Sequence, residues 1–198
     1  MTSTRKSIIL KEAAHLFREK GYSGSTLREL AKRAGVQGGS IYHHFSSKQE
    51  ILMVIMESTM TTLVEKVQHE IGLAKTPLEK LRKGIQFHIE FHTTDRDETY
   101  VADAELRSLE AANYKKIVVM RRKYEQIYRD ILAMGIDQKC MEIENIPLAA
   151  RALLQMCTGI SYWYSPSGID SIDTIVDSYV ELFLYGLCGK IDHGGNQK

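Results

Sequence analysis

"GVQGGSIYHHFSSKQEI", residues 35–51, is the stretch on which the fold turns. Two adjacent glycines, Gly38 and Gly39, stand where a helix should be starting. Tyr42, His43, His44 and Phe45 follow at once. Glycine weakens a helix by roughly 1 kcal/mol relative to alanine, so the pair must serve something other than helix stability. Ile41 and Phe45 lie four apart, which puts both on the inner face of a short helix. Ser46-Ser47 ends that helix and caps a long one, whose apolar positions include Leu52, Ile55, Leu63, Val67 and Ile71.

Upstream, Ile9, Ala13, Leu16 and Phe17 form one apolar helical face, which Gly21 closes with Lys20 in the last turn. Thr26 opens the next helix, with Glu29 three residues on as in a capping box. Leu27, Leu30, Ala31 and Ala34 are its inner face, and Gly35 stops it. The order is helix, Gly21 turn, helix, Gly35 turn, short helix. That is a helix-turn-helix arrangement, whose second helix enters a major groove. The glycines then make sense: without side chains, backbone amides at the start of a recognition helix approach phosphates closely. Gln37, Ser40, Tyr42, His43 and His44 face outward and can bond to phosphates or base edges, and Lys48 can reach a phosphate.

Charge agrees. The 198 residues carry a net charge of only +1. Residues 1–50 nevertheless hold nine Lys/Arg against four Asp/Glu, and residues 51–198 hold seventeen against twenty-one. A basic head on a mildly acidic body suits a polyanion-binding unit joined to a part with another task. At 43% apolar and 26% charged the composition is that of a soluble globular protein. No apolar run is long enough to span a bilayer, and the first residues do not read as a signal peptide. Cys140, Cys157 and Cys188 show no metal-binding spacing, and the expectation is buried thiols in a reducing cytoplasm.

The remainder is helical too. One helix is expected from Pro77 to about Thr93, another over roughly Glu98 to Arg107. A long one runs from about Asn113 to Met134 and ends at Gly135. Pro147 opens one reaching Tyr164, and Ser171 caps a last one to about Leu187. The tail from Asp192 is expected to be disordered. The fold class is therefore all-α. Residues 1–47 make a three-helix DNA-binding domain, and residues 48–198 a helical ligand-binding and dimerisation domain.

The segment "STLRELAKRAGVQGGSIYHHFSSKQEIL" resembles the DNA-binding domain of TetR-family transcriptional regulators. The match covers about residues 5–55, through the Thr26 start, the Gly35-Val36 turn, Gly39, Tyr42-x-x-Phe45 and Lys48. The resemblance implies a homodimer, a small-molecule pocket in the body and ligand-induced release from a palindromic operator. By position it implies phosphate contacts from Thr26, Tyr42 and Lys48, and base contacts from Arg28, Gln37, Gly38, Ser40 and His43. Gly38 departs from the polar residue commoner at that point, which puts side-chain readout there in doubt. The body, in "ELRSLEAANYKKIVVMRRKYEQIY" and "GISYWYSPSGIDSIDTIVDSYVELFLYGL", is similar to the members that control fatty-acid and steroid breakdown and sense acyl-CoA thioesters.

A CoA ester needs an apolar tunnel and cations for its phosphates. Candidate ligand-binding residues are Phe87, Phe91, Arg107, Arg121, Arg122, Tyr162 and Trp163, although the basic stretch around Lys115, Lys116 and Lys123 is also what a solvated helix face looks like. Tyr162, Trp163 and Tyr164 can line a pocket mouth or pack in a dimer seam. The last two long helices carry surplus apolar residues, so Leu153, Met156, Ile160, Tyr179, Leu182 and Phe183, with Leu187, are expected in a two-fold four-helix seam. His88 and His92 share a helix face, but no third ligand accompanies them. They read as pocket or solvent histidines, and the chain calls for no metal and no cofactor. No nucleophile–base motif nominates an enzyme. Two rivals remain: a regulator of a hydrophobic inducer without CoA, and a helical interaction module.

Overall fold

The computed structural model describes residues 4–186. Ten α-helices and one 3₁₀ turn fill that span, and no strand occurs among the described residues. The head consists of α1 (Arg5–Gly24), α2 (Leu27–Arg33) and α3 (Gly38–Tyr42). Helix α1 kinks at Gly21, whose φ of 73° stops the first helical run as the sequence anticipates. The end of α2 is a Schellman motif. Gly35 (φ 64°) gives its N–H to Lys32 O at 3.3 Å, and Val36 gives its N–H to Ala31 O at 3.0 Å. Ile9, Ala13, Leu16 and Phe17 of α1, Leu30 and Ala31 of α2, and Ile41 and Phe45 around α3 are buried together, while Leu27 and Ala34 are only half-buried.

Helix α4 (Lys48–Gly72) is 25 residues long, about 37 Å at 1.5 Å per residue. It starts in the head and runs the length of the body. Ser47 caps it by accepting from Glu50 N at 3.1 Å. The body follows as α5 (Pro77–Thr94), α6 (Arg96–Ala104), a 3₁₀ turn (Leu106–Ser108), α7 (Ala111–Asp137), α8 (Ile146–Thr158), the one-turn α9 (Ile160–Trp163) and α10 (Ile172–Tyr185). Helix α5 is central: it packs against α4, α6, α7, α8, α9 and α10. Gly84 makes part of this possible. A Cβ there would stand 3.1 Å from the Tyr128 ring of α7, and the Tyr128 hydroxyl donates to Gly84 O at 2.8 Å.

Several boundaries differ from the sequence expectation, each for a local reason. The expected capping box at Thr26 is half formed. Thr26 Oγ1 accepts from Glu29 N, but the Glu29 carboxylate turns to Lys20 Nζ at 2.5 Å instead. A complete box appears at Thr76 and Glu79, opening α5. Helix α6 stops at Ala104, short of Arg107. Gly135 does not end α7: it is a buried helical position where a Cβ would collide with Met141. The helix runs on to Asp137, and Lys139, just past its end, takes the left-handed region at φ 56°. Gly159 separates α8 from α9 within the stretch expected as one helix. Cys157 is buried as expected, its thiol pushed up to about 12 by burial. Cys140 is exposed, contrary to expectation. Leu187, Cys188 and the tail from Asp192 lie outside the described residues.

The dimer-seam set is corrected in two places. Leu153 and Ile160 are completely buried inside the protomer, packed in its own core, and cannot face a second chain. Met156, Tyr179 and Phe183 are half-buried, and Leu182 is exposed.

Candidate DNA interface and effector cavity

In the head, burial of Ile41 and Phe45 turns the rest of α3 outward. Gln37, Gly38, Gly39, Tyr42 and His43 are exposed, and Ser40 and His44 are half-buried. Thr26 and Arg28 are exposed on α2, and Arg28 has no ion pair among the described residues. Neither Gly38 nor Gly39 has a positive φ, and a Cβ at either would meet nothing within 4 Å. The protein's own packing therefore makes no demand for glycine there.

Lys48 is placed differently from a free phosphate-reaching side chain. Its ammonium donates to Tyr22 O at 2.7 Å and Ser25 O at 2.8 Å, and sits 4.2 Å from the Tyr22 ring centroid. Burial lowers its pKa, with the Glu105 charge acting the other way. Lys48 thus staples the turn between α1 and α2 and keeps one N–H unassigned.

In the body, a cavity of about 330 Å³ opens between α4, α5, α6, α7, α8 and α9. Met60, Leu63 and Leu154 supply its apolar wall; His88, His92, Asp103, Arg121, Tyr124, Glu125, Gln155, Thr158 and Tyr162 supply the polar one. The two histidines therefore face a pocket, as the sequence suggested. Of the ligand candidates, Arg121 and Tyr162 lie on this wall. Arg107 and Arg122 are exposed and do not line it, Trp163 is 54% exposed, and the Phe87 and Phe91 rings meet each other, tilted, at 5.7 Å outside it. Asp103, Thr158 and Tyr124 are pocket residues that sequence reasoning missed. They come from three elements, and no local spacing links them.

With His88 neutral, the hydrogen bonds around it run in one direction. Gly84 O accepts from Tyr128, so Tyr128 Oη accepts from Tyr124 at 3.1 Å. Tyr124 Oη in turn accepts from His88 Nδ1–H at 2.9 Å, and His88 Nε2 accepts from the Thr158 hydroxyl at 3.0 Å. Burial pushes the His88 pKa well below 6.5, and the nearby His92 adds to that. His92 stacks on His88 at 4.1 Å.

Helix α6 touches both regions. Its Asp97 accepts from Arg18 Nη1 at 2.7 Å and pairs with His15 Nδ1 at 3.0 Å, both on α1. Burial opposes ionisation of Asp97, but these two partners outweigh it and hold the carboxyl below its usual range. Asp103, six residues on, accepts from Arg121 Nη2 at 3.1 Å in the cavity wall. Glu105, just past the helix, accepts from Tyr22 N in the head at 2.9 Å.

A helix-turn-helix head with exposed glycines at the start of its second helix, set on a helical body with a walled cavity, is the architecture of a DNA-binding regulator. The chain belongs to the TetR family: residues 9–54 match the family of bacterial regulatory proteins of that name, and residues 74–187 match the tetracyclin repressor-like C-terminal domain. It is a transcriptional regulator and not an enzyme. It is 25% identical over 187 residues to the HTH-type transcriptional repressor KstR2 of Rhodococcus jostii, covering 93% of this chain and 92% of that one. It is 28% identical over 187 residues to the fatty acid metabolism regulator protein of Bacillus subtilis, covering 92% and 95%. AibR, solved in complex with isovaleryl coenzyme A and operator DNA, shares the fold with a TM-score of 0.84 at 24% identity, covering 92% of this chain and 99% of that one. Among the described residues no helix is long and apolar enough to cross a membrane.

Proposed function

We propose that this chain is a homodimeric repressor that leaves a palindromic operator when an acyl-CoA enters the body cavity. The observation that carries the reading is the cavity itself. Its wall includes Asp103 of a helix whose other end is ion-paired to the head. The likeness to a fatty acid metabolism regulator, and the isovaleryl-CoA held by AibR, support an acyl thioester as the effector. On α7, Lys115, Lys116, Arg122 and Lys123 are exposed, and no ion pair engages them among the described residues; Arg121, on the cavity wall, is their neighbour. The phosphates of CoA belong on this stripe, outside the cavity, with the acyl group inside.

In the head, Thr26, Tyr42 and Lys48 contact phosphates, Arg28, Gln37, Ser40 and His43 read bases, and Gly38 and Gly39 bring backbone amides against the sugar–phosphate chain, with His44 at the edge. The dimer seam uses the apolar surface that α8 and α10 leave uncovered. Leu148, Leu182 and Tyr185 are 62%, 38% and 44% exposed, and Met156, Tyr179 and Phe183 lie half-buried beside them. Trp163 is the further aromatic available to that seam.

Release follows from geometry. Two recognition helices read two half-sites only when they sit about one turn of DNA apart, or a multiple of it. Helix α4 joins each head to its body, and α6 is pinned to both. An effector that binds more tightly when α6 has moved shifts the population toward heads of the wrong spacing. The test is a DNA fragment from upstream of the chain's own gene, challenged in turn with hexanoyl-CoA, free CoA and hexanoate. Release by the thioester alone supports the reading. A complex that survives acyl-CoAs of every chain length overturns it and favours an inducer without CoA.

A further inference from the structure

The polar end of the cavity has a hydrogen-bond polarity that selects among acyl groups. His92 Nδ1 lies 3.0 Å from His88 O, and a carbonyl only accepts, so Nδ1 carries the hydrogen. The other ring nitrogen, Nε2, stands 3.5 Å from Asp103 Oδ2. That oxygen is buried and has no hydrogen-bond partner, whereas its twin Oδ1 is served by Arg121. The ring therefore gives that oxygen no hydrogen bond. Thr158 adds a second acceptor, because its hydroxyl hydrogen is committed to the neutral His88 Nε2.

The cationic side of the wall does not relieve this. The Nη2 of Arg121 is already bound to Ala102 O at 2.5 Å and to Asp103 Oδ1. A saturated acyl chain would leave Asp103 Oδ2 buried and unpaired. A ketone would bring one more acceptor. A hydroxyl group brings the missing hydrogen. An unpaired buried acceptor costs more than the average hydrogen bond contributes, so the difference should be large.

We propose that the effector is a hydroxylated acyl thioester whose hydroxyl group donates to Asp103 Oδ2, making Asp103 the residue that sets acyl specificity. This rests on the acyl-CoA reading above and narrows it.

The test is calorimetric titration of the full chain with five CoA esters: hexanoyl-CoA, its 3-hydroxy and 5-hydroxy derivatives, and the matching 3-oxo and 5-oxo compounds. The expected result is that one hydroxy ester binds roughly five- to a hundredfold more tightly than hexanoyl-CoA, while its oxo partner gains nothing. In Asp103→Asn, where the unpaired carboxylate that prefers a donor is removed, that ratio falls toward one. The wild-type series decides the matter even if the variant does not fold. Equal binding of all five esters, or an oxo ester that matches its hydroxy partner, overturns the hydroxyl assignment and leaves the acyl-CoA reading standing. If none of the five binds better than free CoA, the acyl-CoA reading falls, and this inference with it.

Discussion

Asp97 and Arg18, 79 residues apart in sequence, meet at 2.7 Å where the body touches the head. The pair is two-thirds shielded from solvent, and His15 completes it. Six residues beyond Asp97, on the same short helix, Asp103 stands in the cavity wall. One rigid element of nine residues therefore carries a cavity group at one end and a head anchor at the other. A two-ended helix of this kind is a physical route for coupling, because a shift at either end moves both.

If α6 transmits the effector signal, Asp97→Asn should leave effector binding to the body intact and uncouple it from the DNA. The measurement is the operator Kd with and without effector. The ratio of the two should shrink by about fivefold or more in the variant, the lower range of ordinary coupling energies. An unchanged ratio removes α6 from the route and leaves α4 as the sole connection.

Lys48→Ala should act on stability before it acts on DNA. The variant loses two charge-assisted hydrogen bonds to Tyr22 O and Ser25 O, and the thermal midpoint should fall by an amount equivalent to about 1–2 kcal/mol. Operator and random DNA should both bind more weakly, with the salt dependence flattened by about one counterion per protomer. Arg28→Ala should behave in the opposite manner: no change in the melt, and a loss of roughly 1–3 kcal/mol in discrimination between operator and random DNA. Equal losses on both DNAs would remove Arg28 from base readout.

Gly39→Ala separates helix stability from function. Alanine fits the space, since nothing lies within 4 Å of its Cβ, and it favours the helix by roughly 1 kcal/mol. The melt should rise slightly. Operator affinity should drop by about tenfold, because the methyl group stands between backbone amides and the phosphate they approach. A variant that is more stable and binds DNA as well as wild type would leave the two glycines unexplained.

The head was readable because its chemistry is local. Capping residues, stop glycines and an inward Ile41/Phe45 pair fall within one short stretch, and each predicts its own neighbour. The cavity was not, because its wall is assembled across the body: Asp103 meets His92 and Arg121 only after α5, α6 and α7 have packed. Periodicity also cannot rank burial between partners. Leu153 and Ile160 lie on a surplus apolar stripe, and the surplus turned out to be covered by the protomer itself. Gly135 misled for a related reason. A glycine near a helix end usually stops the helix, but here it makes room for Met141, a contact that no local pattern announces.

His88 gives a pH prediction with a definite sign. The unfolded chain's His88 takes up a proton near its ordinary value of 6.5, whereas in the folded protein burial and His92 push that pKa well below it. The unfolded state therefore binds more protons than the native state once pH falls below about 6.5, and stability must decline with acidification in that window. The decline continues until the folded pKa is reached. Asp97 behaves with the same sign lower down: its carboxyl is depressed in the fold, so its contribution is present above the unfolded value near 3.8 and is lost as pH drops through the folded one. Thermal melts from pH 7.5 to 5.5 should show a falling midpoint for the wild type. In His88→Gln, which cannot take up the proton, the slope over that range should be shallower even though the midpoint at pH 7.5 is lower, because the chain from Thr158 to Gly84 O is broken. Equal slopes in the two proteins would mean that burial does not hold the His88 pKa below its unfolded value.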